Sequence, residues 1–322
     1  MTFQLDRHLP ADFAHHALCE DAREGLLADP KYLPARWCRD EQGAKLFAEL
    51  TRQPEYYLAR AEKTILSSKA AEISALAQAD TLVELGAGAA ERSRPLLDAM
   101  RDAGRLVRYV PVDINEQALR AGGEALAVDH PELEVRAVVA DFAQHSDRLP
   151  REGRRLVTLL GGLFGGFEPD PRARLLRSLR ESTGPDDTLL VGVDLVKSET
   201  LLLAAHDDEQ GLTAAYHRNL LHVLNRELAA DFDAEAFEHV VTWNAEREWV
   251  ETRLRARTDQ EVTLSELGVT VRFAAGEDLR TEITAKFQKD RVVSELADAG
   301  FAAKHWWTDP EGRFALSLSK PT

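Results

Sequence analysis

The sequence predicts an α/β protein: a nucleotide-type parallel-sheet unit joined to an additional mixed α+β domain. Three observations carry this. From residue 80 onward, short apolar runs ending at acidic or glycine-rich positions alternate with helical stretches, the pattern of a parallel sheet with crossover helices. The first of these runs leads directly into Gly86-Ala87-Gly88 and then into a helical pattern. The stretches on either side read differently, and 322 residues exceed the usual size of one domain.

Taken in order, residues 13–27 and 58–77 predict helices, joined by the aromatic-rich stretch KYLPARWCRDEQGAKLFAEL and a turn around Pro54. The buried strands are expected at Thr81 to Leu85, Leu106 to Val112, Val135 to Ala140, Leu156 to Leu160 and Leu189 to Val193. Between the first two, Ala90 to Ala103 predicts a helix that Gly104 stops, and Asn115 to Val128 predicts the next. Residues 196–230 read as mainly helical, and ETRLRARTDQEVTLSELGVTVRFAAGE as strands separated by a turn. A helix near 288–299 and a terminal strand, FALSLS, follow. The nucleotide-type unit is therefore expected at residues 61–196, with residues 1–60 and 197–322 forming the two parts of the second domain. Ligand-contacting groups in such a sheet lie beyond the carboxyl ends of its strands, where Glu84, Asp113, Asp141, Gly161 and Asp194 fall. For Asp194, a purely structural cap is an equal alternative.

Composition narrows the function. With 44% hydrophobic and 30% charged residues, and few Gly and Pro, the chain is expected to be ordered. Its formal charge of -15, without a dense Lys/Arg block, argues against a nucleic-acid partner. Cys19 and Cys38 are too few for a disulfide framework or a thiolate metal site, and the histidines show no compact zinc spacing, so no metal is expected. The start MTFQLDRHLPADF lacks a basic n-region and an apolar core, and no later run reaches about 18 apolar residues. Neither export nor membrane spanning is expected, and a reducing cytoplasm fits.

VELGAGAAERSR is the most informative local string. Glycines let the backbone turn tightly or approach a ligand, and the following helix start presents free N–H groups. In isolation the same string is also an ordinary strand-to-helix turn. Asp113, 25 positions after Gly88, supplies a carboxylate able to accept bonds from both hydroxyls of a ribose. The position three after Gly88 is Glu91, so the dinucleotide fingerprint G-x-G-x-x-G is incomplete, and the kinase-type loop is absent. An adenosyl cofactor without phosphates is the better chemical match. Asp141 could accept a bond from an adenine amino group while Phe142 covers a ring face, or the pair could be a turn Asp and a core Phe.

The strings TRQPEYY, VELGAG, NREL at 225–228 and HWWTDPEGRF at 305–314 resemble the histidine N-alpha-methyltransferase family of ergothioneine biosynthesis across essentially the whole chain. That resemblance implies a Rossmann-like class I S-adenosylmethionine-dependent methyltransferase domain with a family-specific substrate-binding domain. It further implies a monomer that converts histidine, by successive methylations of its α-amine, to the trimethylated betaine. Matched motif by motif, it implies S-adenosylmethionine contacts at Gly86, Asp113, Asp141 and Phe142, which Glu84, Gly88 and Gly161 join as cofactor candidates by their places at the strand ends and in the glycine loop. Arg92 stands where the family commonly has Lys. Tyr56 of PEYY is expected beside the substrate amine, orienting it, and Phe47 is counted among the acceptor-binding residues. Glu282 in TEITAKF matches the imidazole-binding carboxylate, with Thr284 as its hydroxyl-bearing neighbour on the same strand face.

Four departures bear on the acceptor. The family usually has Asn at Gly166 and Tyr at His206, both serving the histidine carboxylate, often Tyr at Arg39, and Met at Thr252. Arg39 and His206 are candidates for a replacement cationic site, or are surface groups. The alternatives are an N-methyltransferase for another aromatic amino acid or a biogenic amine, such as tryptophan or histamine, a dehydrogenase, and a noncatalytic cofactor-binding domain.

Overall fold

Apolar β-branched runs become buried parallel strands here because amphipathic helices cover both faces of the sheet they form. The computed structural model describes residues 2–322. In chain order, the first elements are β1 (Thr2–Arg7), α1 (Phe13–Leu27), α2 (Glu41–Leu50) and α3 (Leu58–Ala77). Next come β2 (Thr81–Leu85), α4 (Arg94–Asp102), β3 (Arg108–Asp113), α5 (Glu116–Asp129), β4 (Glu134–Val139), β5 (Arg155–Leu159), α6 (Pro169–Ser182) and β6 (Thr188–Asp194). After them lie α7 (Glu199–Ala204), α8 (Leu212–Glu227), β7 (Phe237–Asn244), β8 (Trp249–Ala256), β9 (Gln260–Leu264), β10 (Val269–Phe273) and β11 (Asp278–Ala285). The chain closes with α9 (Lys289–Asp298), β12 (Phe301–Thr308) and β13 (Phe314–Pro321).

Two compact units result. The first comprises the residues up to Pro10, Leu58–Val196 and Lys286–Thr322. Its sheet has the order β1-β4-β3-β2-β5-β6-β13-β12, in which β13 is the one strand that runs opposite to the others. Strands β2, β5 and β6 are buried at every position, which is why they read as largely apolar runs rather than alternating ones. Asn115 caps α5 by accepting the amide of Ala118 at 3.0 Å, so the helix begins where the sequence places its cap. The expected helix from Ala90 starts later, at Arg94. Ala90 has φ +61°, outside the helical region, and residues 90–93 form a turn.

The second unit comprises Ala11–Tyr57 and Lys197–Ala285. It holds the antiparallel sheet β11-β8-β7, the hairpin β9-β10 and helices α1, α2, α7 and α8. Leu18, Ala22 and Leu26 of α1 share one core with Leu220, Leu221 and Leu224 of α8 and with Phe237, Leu254, Phe273 and Leu279 of the strands. Each leucine and phenylalanine among them contributes about 1.5–3 kcal/mol on burial.

These boundaries differ from the expected 1–60, 61–196 and 197–322. β1 pairs in parallel with β4 from Thr2↔Glu134 to Arg7↔Val139. β13 inserts between β6 and β12, so both chain ends belong to the sheet unit. Local pattern identifies a strand but not its distant partner. Among the described residues, no helix is long and apolar enough to cross a membrane, and no His/Cys/Asp/Glu group is arranged to hold a metal ion.

The chain leaves the sheet unit after β6 and re-enters it at Lys286, and the two passages lie side by side. The amide of Phe287 donates to the Asp194 carbonyl at 2.8 Å and that of Val196 to the Phe287 carbonyl at 3.0 Å. Lys286 Nζ meets Asp194 Oδ2 at 2.8 Å, with essentially no solvent exposure of either side chain. Asp194 is thus a structural partner in this junction. Removing one member of a buried ion pair leaves an uncompensated charge. Lys286→Met is therefore expected to lower stability by about 3–5 kcal/mol in urea denaturation, and adding Asp194→Leu to recover most of the loss.

Candidate functional site

At the end of β2 the chain turns sharply. The amides of Gly86 and Ala87 both donate to the Val112 carbonyl, at 2.8 and 3.1 Å, bending the loop over the end of β3. Gly86 has φ +67°, and a Cβ there would lie 2.4 Å from Leu163 Cδ1. Gly88, at φ +54°, faces open space. Its amide donates to Asp113 Oδ2 at 2.9 Å, while the Asn115 amide donates to Asp113 Oδ1 at 2.9 Å. The carboxylate is held by one bond on each oxygen, and a carboxylate has lone pairs for further donors. Asp141, at the end of β4, is buried and accepts the Ala143 amide at 3.0 Å and Gln144 Nε2 at 3.1 Å. Phe142 beside it meets Phe167 edge to face, with centroids 6.3 Å apart.

A buried acidic network supports the loop. Glu84 of β2 has no exposed surface and accepts the hydroxyl of Tyr109. Glu62 of α3, absent from the sequence-based candidates, accepts the Gly161 amide at 2.8 Å. Arg92 Nε stands 3.4 Å from Glu62 Oε2, and its guanidinium covers Gly161, where a Cβ would fall 2.6 Å from Cζ. Burial pushes the pKa of both glutamates up, and the Arg92 charge works against it. The sequence did carry a signal for Glu62: it shares the apolar stripe Leu58, Ala61, Ile65, Leu66 on α3. Gly166 also belongs to this unit and is exposed, with nothing within 4 Å of an added Cβ.

The second unit gathers the other candidates. Phe47 of α2 meets Tyr56 edge to face at 6.0 Å and Tyr216 of α8 at 5.7 Å. Solvent reaches Arg39, yet side chains crowd its guanidinium: Nε donates to the Tyr216 hydroxyl at 3.4 Å, and the group lies 5.3 Å from the Phe47 centroid. Burial opposes the Arg39 charge, but Tyr216, Glu282 and Tyr56 outweigh it and keep the group cationic. Tyr216, unforeseen from sequence, is buried, and burial raises its pKa. Glu282 and Thr284 of β11 are half-buried while Thr281, Ile283 and Ala285 are buried, the two faces that strand alternation requires. Thr252 of β8 is buried directly opposite Glu282 in the ladder. His206, just beyond α7, is only 6% exposed and so is an interior rather than a surface group.

The structure thus brings Arg39, Phe47, Tyr56 and Glu282 into one electrostatic and aromatic neighbourhood, with Tyr216 at its centre. The cofactor candidates cluster separately on the sheet unit. Leaving β1 aside and numbering the other seven sheet strands along the chain, their order is 3-2-1-4-5-7-6 with the seventh reversed. With the glycine loop after the first strand and the carboxylate after the second, this defines the class I methyltransferase fold. The chain belongs to the family of histidine-specific, S-adenosylmethionine-dependent methyltransferases, whose pattern it matches over residues 18–321. It is 50% identical over 319 residues to histidine N-alpha-methyltransferase of Mycolicibacterium smegmatis, and 46% identical over 319 residues to that of Mycobacterium tuberculosis. Each alignment covers 99% of both chains. The N-methyltransferase fsqC of Aspergillus fumigatus is 28% identical over 305 residues, 92% of this chain and 81% of that one.

The acidic network has a pH signature. A carboxyl group whose folded pKa lies above its ordinary value of 4.5 holds more protons when folded, so stability falls as pH rises through that interval. Arg92 narrows the interval for Glu62 and Glu84, and removing it widens the interval. Arg92→Met is expected to be destabilised more at pH 8 than at pH 5 in paired urea titrations; an equal loss at both would dissociate Arg92 from the two carboxyls.

Proposed function

We propose that this chain transfers methyl groups from S-adenosylmethionine to the α-amine of histidine, successively to the trimethylated betaine, as a step in ergothioneine biosynthesis. The observation that carries the acceptor assignment is the Glu282 carboxylate, half-buried beside the aromatic cluster of Phe47, Tyr56 and Tyr216. An ionised carboxylate only accepts hydrogen bonds, so it favours an acceptor whose ring bears an N–H.

The loop fits an adenosyl ligand. Asp113 has lone pairs for both ribose hydroxyls, Gly86 and Gly88 allow close backbone approach, and Asp141 and Phe142 are suited to the adenine edge and face. Gly161 with Arg92, and Glu84 behind them, support the rest of that pocket. Bound S-adenosylmethionine supplies the electrophilic methyl group. The protein's part is to hold a neutral amine, stripped of water, in line with that group, so positioning and electrostatics do most of the work. Tyr56 orients the amine, and the rings of Tyr56 and Phe47 suit the ammonium as methyl groups accumulate. Arg39, kept cationic, and His206 serve the carboxylate of the acceptor in place of the usual Asn and Tyr. Thr284 and Thr252 shape the ring end of the site. A second reading, an acceptor without a carboxylate such as histamine, is favoured by Gly166, which offers no side chain where the family's Asn holds the carboxylate.

Two measurements test this reading. Asp113→Ala is expected to weaken S-adenosylmethionine binding by about 1–3 kcal/mol in calorimetry, and undiminished affinity in the folded variant would refute the ribose contact. Mass spectrometry with S-adenosylmethionine and histidine is expected to give mono-, di- and trimethylated products in succession. In the same assay across histidine, tryptophan and leucine, Glu282→Ala is expected to raise the barrier for histidine by about 1–3 kcal/mol and to cost leucine less. A uniform loss across all three would make Glu282 a structural residue.

A further inference from the structure

We infer that His217 is a positioning residue that orients Glu282 toward the acceptor's ring N–H, an inference that rests on the reading of Glu282 as the ring-binding carboxylate. His217 lies on α8 with 2% of its side chain exposed, and its Nε2 stands 3.6 Å from Glu282 Oε2. On the opposite side of the ring, Nδ1 is 3.0 Å from Thr281 Oγ1, which is in turn 3.2 Å from the Thr252 carbonyl. One face stacks on His239 at 5.5 Å with 23° between planes, and Tyr216 packs edge to face at 5.3 Å. The imidazole is therefore fixed in the plane that points Nε2 at the carboxylate.

The chemistry of the contacts selects one form of the ring. Burial, reinforced by the neighbouring His239, holds the His217 pKa well below its usual value, so the imidazole is neutral, with one N–H and one lone pair. An ionised Glu282 offers only lone pairs, so it favours the tautomer with the proton on Nε2. Nδ1 is then the acceptor, and the single hydroxyl proton of Thr281 goes to it rather than to the Thr252 carbonyl. Thr281 reaches that position because the β11/β8 register shifts between Arg280 and Glu282, a bulge that places an extra residue against His217. At 3.6 Å the contact with Glu282 is longer than a hydrogen bond, and such contacts shorten when a site fills. A neutral donor orients the carboxylate without adding to the positive charge that Arg39 already places near it. His217 uses one of about four lone-pair sites on the carboxylate and leaves others for the acceptor.

The test measures histidine binding by calorimetry in the presence of S-adenosylhomocysteine, alongside the affinity for S-adenosylhomocysteine alone. His217→Phe, which keeps the ring stack and removes the donor, is expected to raise the histidine Kd roughly tenfold, the weight of one hydrogen bond, with S-adenosylhomocysteine affinity unchanged. His217→Gln, which retains an N–H donor, is expected to recover much of the loss. In 15N spectra of histidine-labelled protein, the signal missing from His217→Gln is expected to show a neutral ring protonated on Nε2, and Thr281→Val to alter it. Histidine affinity within twofold of wild type in His217→Phe, with Glu282→Ala weakened, would overturn the role of His217 alone. Unchanged affinity in both variants would remove the reading of Glu282 beneath it. A loss of S-adenosylhomocysteine affinity in parallel would make His217 merely structural. Should His217→Phe not fold, an Nδ1-protonated signal in the wild-type protein overturns the proposal by itself.

Discussion

The closing of the sheet unit turns on one ion pair out of reach of water. Lys286 meets Asp194 at 2.8 Å where the chain, after a long excursion, returns to the strand it left. The ion pair is surrounded by backbone bonds: Phe287 to Asp194, Val196 back to Phe287, and Leu195 to the Arg313 carbonyl. Those bonds register the returning segment against the end of β6 and so fix where β13 can enter. Without β13 beside β6, a strand buried at every position would present an unpaired apolar edge to solvent.

The same economy of buried charge governs the two candidate sites in different ways. On the sheet unit, Glu62 and Glu84 have almost no exposed surface and share Arg92, while backbone amides and the Tyr109 hydroxyl supply their hydrogen bonds. In the second unit the carboxylate of Glu282 is neighboured by Arg39 and by an imidazole that burial keeps neutral. One site tolerates its acids through a nearby cation. The other places a cation and a neutral imidazole near one half-buried acid.

Much of this was legible because it is local. TLVEL with the glycines after it is one continuous strand, turn and helix, and β2 begins and ends at the expected residues. Asn115 announced its helix through cap chemistry. What sequence could not supply were partners distant along the chain. β1 is a six-residue strand whose role comes entirely from pairing with β4, more than a hundred positions away. β12 and β7 were missed because their residues are only partly buried and show no clean alternation. Glu62, Tyr216 and His217 lie on α3 and α8, outside the motif strings themselves. Each nevertheless left a trace as a polar group on an apolar helical stripe: Glu62 among Leu58, Ala61 and Ile65, and the other two beside Leu220, Leu221 and Leu224. The family resemblance identified residues by motif, and geometry supplied the neighbours that hold them.

The interleaved strand order also sets a timetable for synthesis. The second unit has all its segments once residue 285 has left the ribosome, so its core of α1, α8 and the antiparallel strands can close while the chain is still being made. The sheet unit, although β1 precedes every element of the second unit, must wait for residues 314–321 to slot between β6 and β12. Until then the apolar edge of β6 is exposed in the nascent chain, so the unit begun first is finished last. Its exposed edge is where a chaperone would be most needed during translation.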